Sequence, residues 1–226
     1  MANRFQTIAV YAVAAGLCLI LSKVSPLALS AEQLTLDVFQ YDDVGVAPAI
    51  VRESRQTVAR IFSRLDVQIV WFDRHDAQCR QDTLDTAGRR AFLTSAYTIR
   101  LAASSNTWQL NTPSARALGF AVAGTRVATV LYPRVEQLGR RTGGDVAVVL
   151  GHVVAHELGH LLLRQASHAV AGLMQAGFDS VSALQGRLLF ADGQARAIRA
   201  ALTADKQRRP PTGMELTPAA ATGSCG

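Results

Sequence analysis

The chain predicts an α+β fold, on three observations. Short runs of alternating or β-branched residues recur at 34–41, 67–72, 97–102 and 118–132. Segments with helical spacing of apolar residues lie at 48–65 and 177–202. A long apolar stretch at 146–163 carries two histidines four positions apart, the spacing of one helix face.

Each element has its own warrant. In 34–41, Leu34, Leu36 and Val38 alternate with Thr35, Asp37 and Phe39, giving a strand with one polar-leaning face. Pro48 opens a helix to about Leu65, with Ile50, Val51, Val58, Ile61, Phe62 and Leu65 on its apolar side. The run 67–72 is mostly apolar and β-branched, which predicts a central strand. The segment 73–90 is polar and irregular, and 97–102 reads as a third strand. Two more strands, 118–123 and 126–132, flank a turn at Gly124-Thr125. Pro133 ends that pattern and a short helix follows to Leu138. Asp145 closes a Gly-rich loop as the N-cap of the long helix at 146–163. A second long helix, 177–202, is interrupted near Ala191-Asp192-Gly193. The tail 209–226 is rich in Pro, Ala, Thr and Gly and predicts disorder.

Composition narrows the function. The chain has 226 residues, 49% hydrophobic and 18% charged, enough for one packed domain at 31–208. A net charge of +6 is carried by scattered arginine pairs, and aromatics make up 6%, so there is no basic stripe for nucleic acid. At the N-terminus Arg4 precedes an uncharged apolar run at 7–21, and Ala28 and Ser30 precede Ala31 as small cleavage-site residues. The run is shorter than the ~20 residues of a membrane span. Residues 1–30 therefore read as a signal peptide, the mature chain as secreted or periplasmic without stable membrane insertion, with an uncleaved anchor as the alternative. Cleavage leaves Cys79 and Cys225, which either pair and pin the tail or stay as two thiols.

Four of the five histidines fall within 152–168, and His156-Glu157-Leu158-Gly159-His160 spells HExxH. On one helix His156 and His160 can hold one metal ion, and Glu157 can act on a water there as general base. Polar groups in so apolar a helix need partners, and a metal satisfies imidazoles well. A catalytic zinc takes three protein ligands and keeps one position open. After Leu163 the chain turns through Arg164-Gln165-Ala166-Ser167, which can return His168 to the pair. Asp179 is the alternative third ligand and otherwise starts the next helix; Glu215 lies in the tail. His152 shares the histidine face, but three positions over two turns span ~12 Å, too far for one ion. It reads as a cleft-wall residue or a first-turn polar group. Tyr132 reads either as an oxyanion donor near the metal or as a core aromatic. His75 sits in a polar, solvated segment.

The stretch HELGHLLLRQASHAVAGLM at 156–174 resembles the metzincin metallopeptidases, matrixin-like ones in particular, whose pattern is HExxHxxGxxH followed by a methionine turn. Here the ligand loop is two residues longer, an HExxH-x7-H variant, and Leu163 occupies the glycine position. The chain also resembles small secreted bacterial proteins that carry this variant. The resemblance implies His156, His160 and His168 as ligands of one catalytic zinc ion, Glu157 as base and Met174 beneath the site. It implies a zincin-like mixed twisted sheet with helices packed behind it, and peptide-bond hydrolysis of a peptide or protein substrate. That substrate would add as a strand along 117–123. Two other readings stand beside it: a non-catalytic zinc-binding protein of the same fold, and a domain without metal. No segment signals a cleavage preference or an oligomeric state.

Overall fold

The computed structural model describes residues 33–73, 95–104, 117–122, 124–177, 180–185 and 187–208. Strand β1 spans Leu34–Asp42 and helix α1 Pro48–Ser63. Strands β2 (Val67–Phe72), β3 (Tyr97–Ala102), β4 (Gly119–Ala121) and β5 (Val127–Leu131) follow. Helices α2 (Tyr132–Thr142), α3 (Val146–Leu163), α4 (Ser180–Leu184) and α5 (Asp192–Arg208) complete the chain. The strands form one sheet in the order β2-β1-β3-β5-β4. The β2-β1, β1-β3 and β3-β5 pairs are parallel and β4-β5 is antiparallel, so the sheet is mixed. Parallel neighbours need a crossover, and α1 supplies the one between β1 and β2.

The start of α1 is prepared twice. The Asp42 carboxylate accepts from the backbone N–H groups of Val44, Gly45 and Val46 at 3.0, 2.9 and 2.7 Å, closing the turn after β1. Pro48 then sets the first helical φ. Val58, Ile61 and Phe62 form the buried stripe of α1 and meet α3. Val38, Ile99 and Val130 bury completely on three adjacent strands of the sheet. Each such side chain stabilises the fold by about 1.5–3 kcal/mol. Phe39, Phe72 and Ala96 make a separate small cluster, with the two rings 5.4 Å apart.

Helix α3 organises the rest, packing on α1, α2, α4, α5, β4 and β5. Asp145 caps it, its side chain accepting from Ala147 N at 2.8 Å. The helix is long and apolar enough to cross a membrane, yet 72% of it is buried inside the protein, which marks a core helix.

Two expectations are corrected. The run 67–72 was expected at the sheet centre, but β2 is an end strand among the described residues. Only Val67 and Phe72 are buried in it, while Ile69, Val70 and Trp71 are partly exposed. Its β-branched character serves pairing with β1 rather than burial on both faces. The long helix expected at 177–202, interrupted near 191–193, is two helices, α4 and α5, and the break lies ahead of that point, since α4 ends at Leu184 and α5 begins at Asp192. Between them Leu188 and Phe190 are buried in non-helical backbone, Phe190 edge-on to Phe62 at 5.5 Å. Tertiary burial of these two side chains overrides local helix propensity. Residues 1–30, His75, Cys79, Asp179, Glu215 and Cys225 lie outside the described residues.

Candidate metal centre

Three imidazoles converge at the C-terminal half of α3. His156 and His160 stand one turn apart, and Arg164, in the left-handed region at φ 52°, ends the helix and turns the chain. His168 then comes back to the pair. His160 Nε2 lies 3.0 Å from His156 Nε2 and 3.3 Å from His168 Nε2, and all three ligand atoms lie within 4.8 Å of one another.

The outer ring nitrogens decide the tautomers. His156 Nδ1 is 2.6 Å from Leu173 O and His160 Nδ1 is 2.7 Å from Gln165 O. A carbonyl only accepts, so both Nδ1 atoms carry the proton and both Nε2 atoms offer a lone pair. Burial pushes His156 down to about 4 and lowers His160 as well, which keeps the rings neutral and able to ligate. Two bare lone pairs 3.0 Å apart repel, and a cation between them converts that repulsion into attraction. Imidazole nitrogens ~2.0–2.1 Å from a tetrahedral zinc lie about 3.3 Å apart, close to the separations found here. The donor set therefore fits zinc.

A closed loop supports the triad from below. Ala169 N donates to Met174 O at 2.7 Å and Leu173 N to Leu189 O at 2.8 Å, so the segment that follows His168 also carries the carbonyl that orients His156. Met174, 1% exposed, packs against α3 at Gly159. A β-carbon at Gly159 would run into Met174 Sδ and come within 2.8 Å of the Phe190 ring. Glycine in HELGH is thus a close-approach position.

Glu157 lies beside the triad, 4% exposed, and its Oε2 has no hydrogen-bond partner among the described residues. In the field of the protein alone, burial pushes this carboxyl up to about 8. Such a group in a cleft suits proton transfer better than structure. The cleft encloses about 1320 Å³ and is lined by the three histidines, Glu157 and β4. Gly119 of β4 approaches Glu157 so closely that a β-carbon there would sit 2.8 Å from Oε1.

The remaining expected residues lie elsewhere. His152 is buried off the triad, with Nδ1 2.8 Å from Val148 O. Tyr132 starts α2 buried in the core and does not line the cleft. Sequence reading missed Gly119, although a glycine inside a strand pattern signals close approach. It also missed Arg126 and Arg164, cleft residues without any local pattern.

No protein-family model matches the chain, and no curated protein matches it. Solved structures do. A zinc-dependent peptidase from Methanocorpusculum labreanum (strain Z) has 14% identity and a TM-score of 0.49, covering 71% of this chain and 99% of that one. Archaemetzincin from Methanopyrus kandleri has 16% identity and a TM-score of 0.46, covering 75% and 96%. Metalloproteinase-II from Bacteroides fragilis has 15% identity and a TM-score of 0.41, covering 75% and 54%. These are distant likenesses in chain course.

Proposed function

We propose that the protein is a zinc metallopeptidase that hydrolyses peptide bonds in peptide or protein substrates. One observation carries the reading: three Nε2 atoms converge within 4.8 Å beside the buried Glu157, whose Oε2 has no hydrogen-bond partner among the described residues, on the wall of an open cleft. His156, His160 and His168 would hold one zinc ion. A zinc ion there supplies acidification of water toward a pKa of ~7 and polarisation of a carbonyl. Glu157 takes the proton of the attacking water and returns it to the leaving amine. The carbonyls of Leu173 and Gln165 keep two of the imidazoles oriented, and Met174 packs beneath them against Gly159 of the same helix.

Strand β4 supplies a rail for substrate. Leu118 O accepts from Leu131 N at 2.8 Å and Val122 N donates to Val127 O at 2.9 Å. Antiparallel alternation then turns the backbone groups of Gly119 and Ala121 away from β5. A peptide can add there as a strand, with its scissile bond carried past Glu157. The N-terminal segment 1–30, read as a signal peptide, supports a secreted or periplasmic place for a catalytic domain at 31–208.

Digestion of a peptide library tests the reading. Zinc-supplied protein is expected to cleave, a chelator to stop cleavage, and added zinc to restore it. Zinc-loaded, folded protein that cuts nothing in the library would instead support the non-catalytic zinc-binding alternative.

A further inference from the structure

One end of the cleft carries a second constellation that the hydrolytic step does not use. Arg126, just before β5, has its guanidinium carbon over the Tyr97 ring, 4.5 Å from the centroid. Its Nη2 bonds Asp205 Oδ2 at 2.7 Å and its Nη1 bonds Ser95 O at 3.2 Å. Arg208 also bonds Asp205, and Arg164 reaches it at 3.9 Å. Three guanidinium groups thus share one carboxylate. Arg126 and Arg164 line the cleft and Asp205 does not. Glu157 is the only acidic residue lining the cleft among the described residues. The positive charge on this wall therefore exceeds the negative charge placed against it.

The arrangement is held in place. Arg126 is 28% exposed and fixed on three sides by the ring, the carboxylate and the carbonyl, contacts that engage two of its five N–H donors. Arg164 is 73% exposed and lies one helical turn beyond the ligand His160. A pre-oriented guanidinium beside a solvent-exposed one suits recognition of a carboxylate, which takes paired N–H donors.

We infer that Arg126 and Arg164 form an anionic subsite that recognises a carboxylate of the peptide substrate, a few residues along β4 from the bond cut. The inference rests on the peptidase reading and adds a substrate class to it. The carboxylate comes from an Asp or Glu side chain or from the peptide's C-terminus. Gly119, which approaches Glu157, pairs with Val130, and Arg126 lies four residues along the same chain from Val130, which puts the subsite up to about four substrate positions from Glu157.

The test measures binding apart from turnover. Zinc-supplied Glu157→Gln protein is titrated calorimetrically with blocked peptides that carry Glu or Gln at each position in turn, and with free or amidated C-termini. The expected result is about ten-fold tighter binding of the charged member at one position or at the terminus, the size of a charge-assisted hydrogen bond. The position or the terminus identifies the source. Arg164→Asn in the same background, which suits the left-handed φ, is expected to reduce that ratio below two-fold. Arg126→Lys, which keeps the Asp205 pair but loses the fork, is expected to reduce it in part. Equal binding of charged and neutral members throughout overturns the subsite, as does a ratio unmoved by Arg164→Asn. Wild-type turnover of the same peptides separates the two claims. Turnover without charge preference overturns the subsite and leaves the peptidase standing. A binding preference without turnover supports the subsite and overturns the peptidase.

Discussion

Glu157→Gln is expected to keep its zinc and to lose about 10²–10⁴-fold in kcat/KM, the range of positioned general acid–base catalysis. The substitution preserves volume and shape at a site that is 4% exposed, so packing of α3 changes little. It removes the one property the mechanism uses, the ability to accept and return a proton. None of the three imidazoles touches Glu157 through a hydrogen bond among the described residues, and the tautomers of His156 and His160 are set by the Leu173 and Gln165 carbonyls. Metal content and cleavage therefore separate. Measuring both on one preparation checks it. Cleavage within a few-fold of wild type would remove Glu157 from the reaction.

Gly119→Ala is expected to lower kcat/KM by about 100-fold with zinc retained, the effect of a misplacement of ~1 Å. The added β-carbon meets Glu157 Oε1 at 2.8 Å, Thr129 O at 2.8 Å and Glu157 Cγ at 3.0 Å. Thr129 O belongs to the backbone of β5 and cannot give way, so β4 lifts or the Glu157 side chain swings. Either movement separates the base from the substrate rail. Overpacking also costs about 1–3 kcal/mol of stability, readable as a lower denaturant midpoint. Gly193→Ala is the matched control, since a β-carbon there meets nothing within 4 Å. Unchanged kinetics in folded Gly119→Ala protein would show that this close approach does not position Glu157.

Different residues were legible for different reasons. Helix α3 was readable end to end, because the Asp145 cap, the apolar run and the turn at Arg164 all act locally. The convergence of His168 was readable only as a turn after that helix, and its backbone support from 169–175 was not. That support depends on Leu173 bonding Leu189, a contact between segments with no shared pattern. Strand positions were legible from alternation, but their order was not. The run 67–72 looked central from composition, but among the described residues it pairs with β1 alone, an order that alternation within the run does not encode. The break in 177–202 was legible only near Ala191-Asp192-Gly193, because the burial of Leu188 and Phe190 ahead of it in non-helical chain depends on tertiary contacts such as Phe190 with Phe62. The arginines around Asp205 come from the residue before β5, the C-cap of α3 and the end of α5, so no window of sequence contains them together.

In the proposed reading His156, His160 and His168 hold one metal ion. The measurement that tests it most directly is zinc content per chain in wild-type protein and in His168→Ala, both checked for folding. The expected result is about one zinc per wild-type chain, with a loss or strong weakening in the variant. Well-folded wild-type protein that takes up no zinc would contradict the account. Equal zinc in both proteins would contradict the three-histidine site and move the third ligand elsewhere, with Asp179 next to replace.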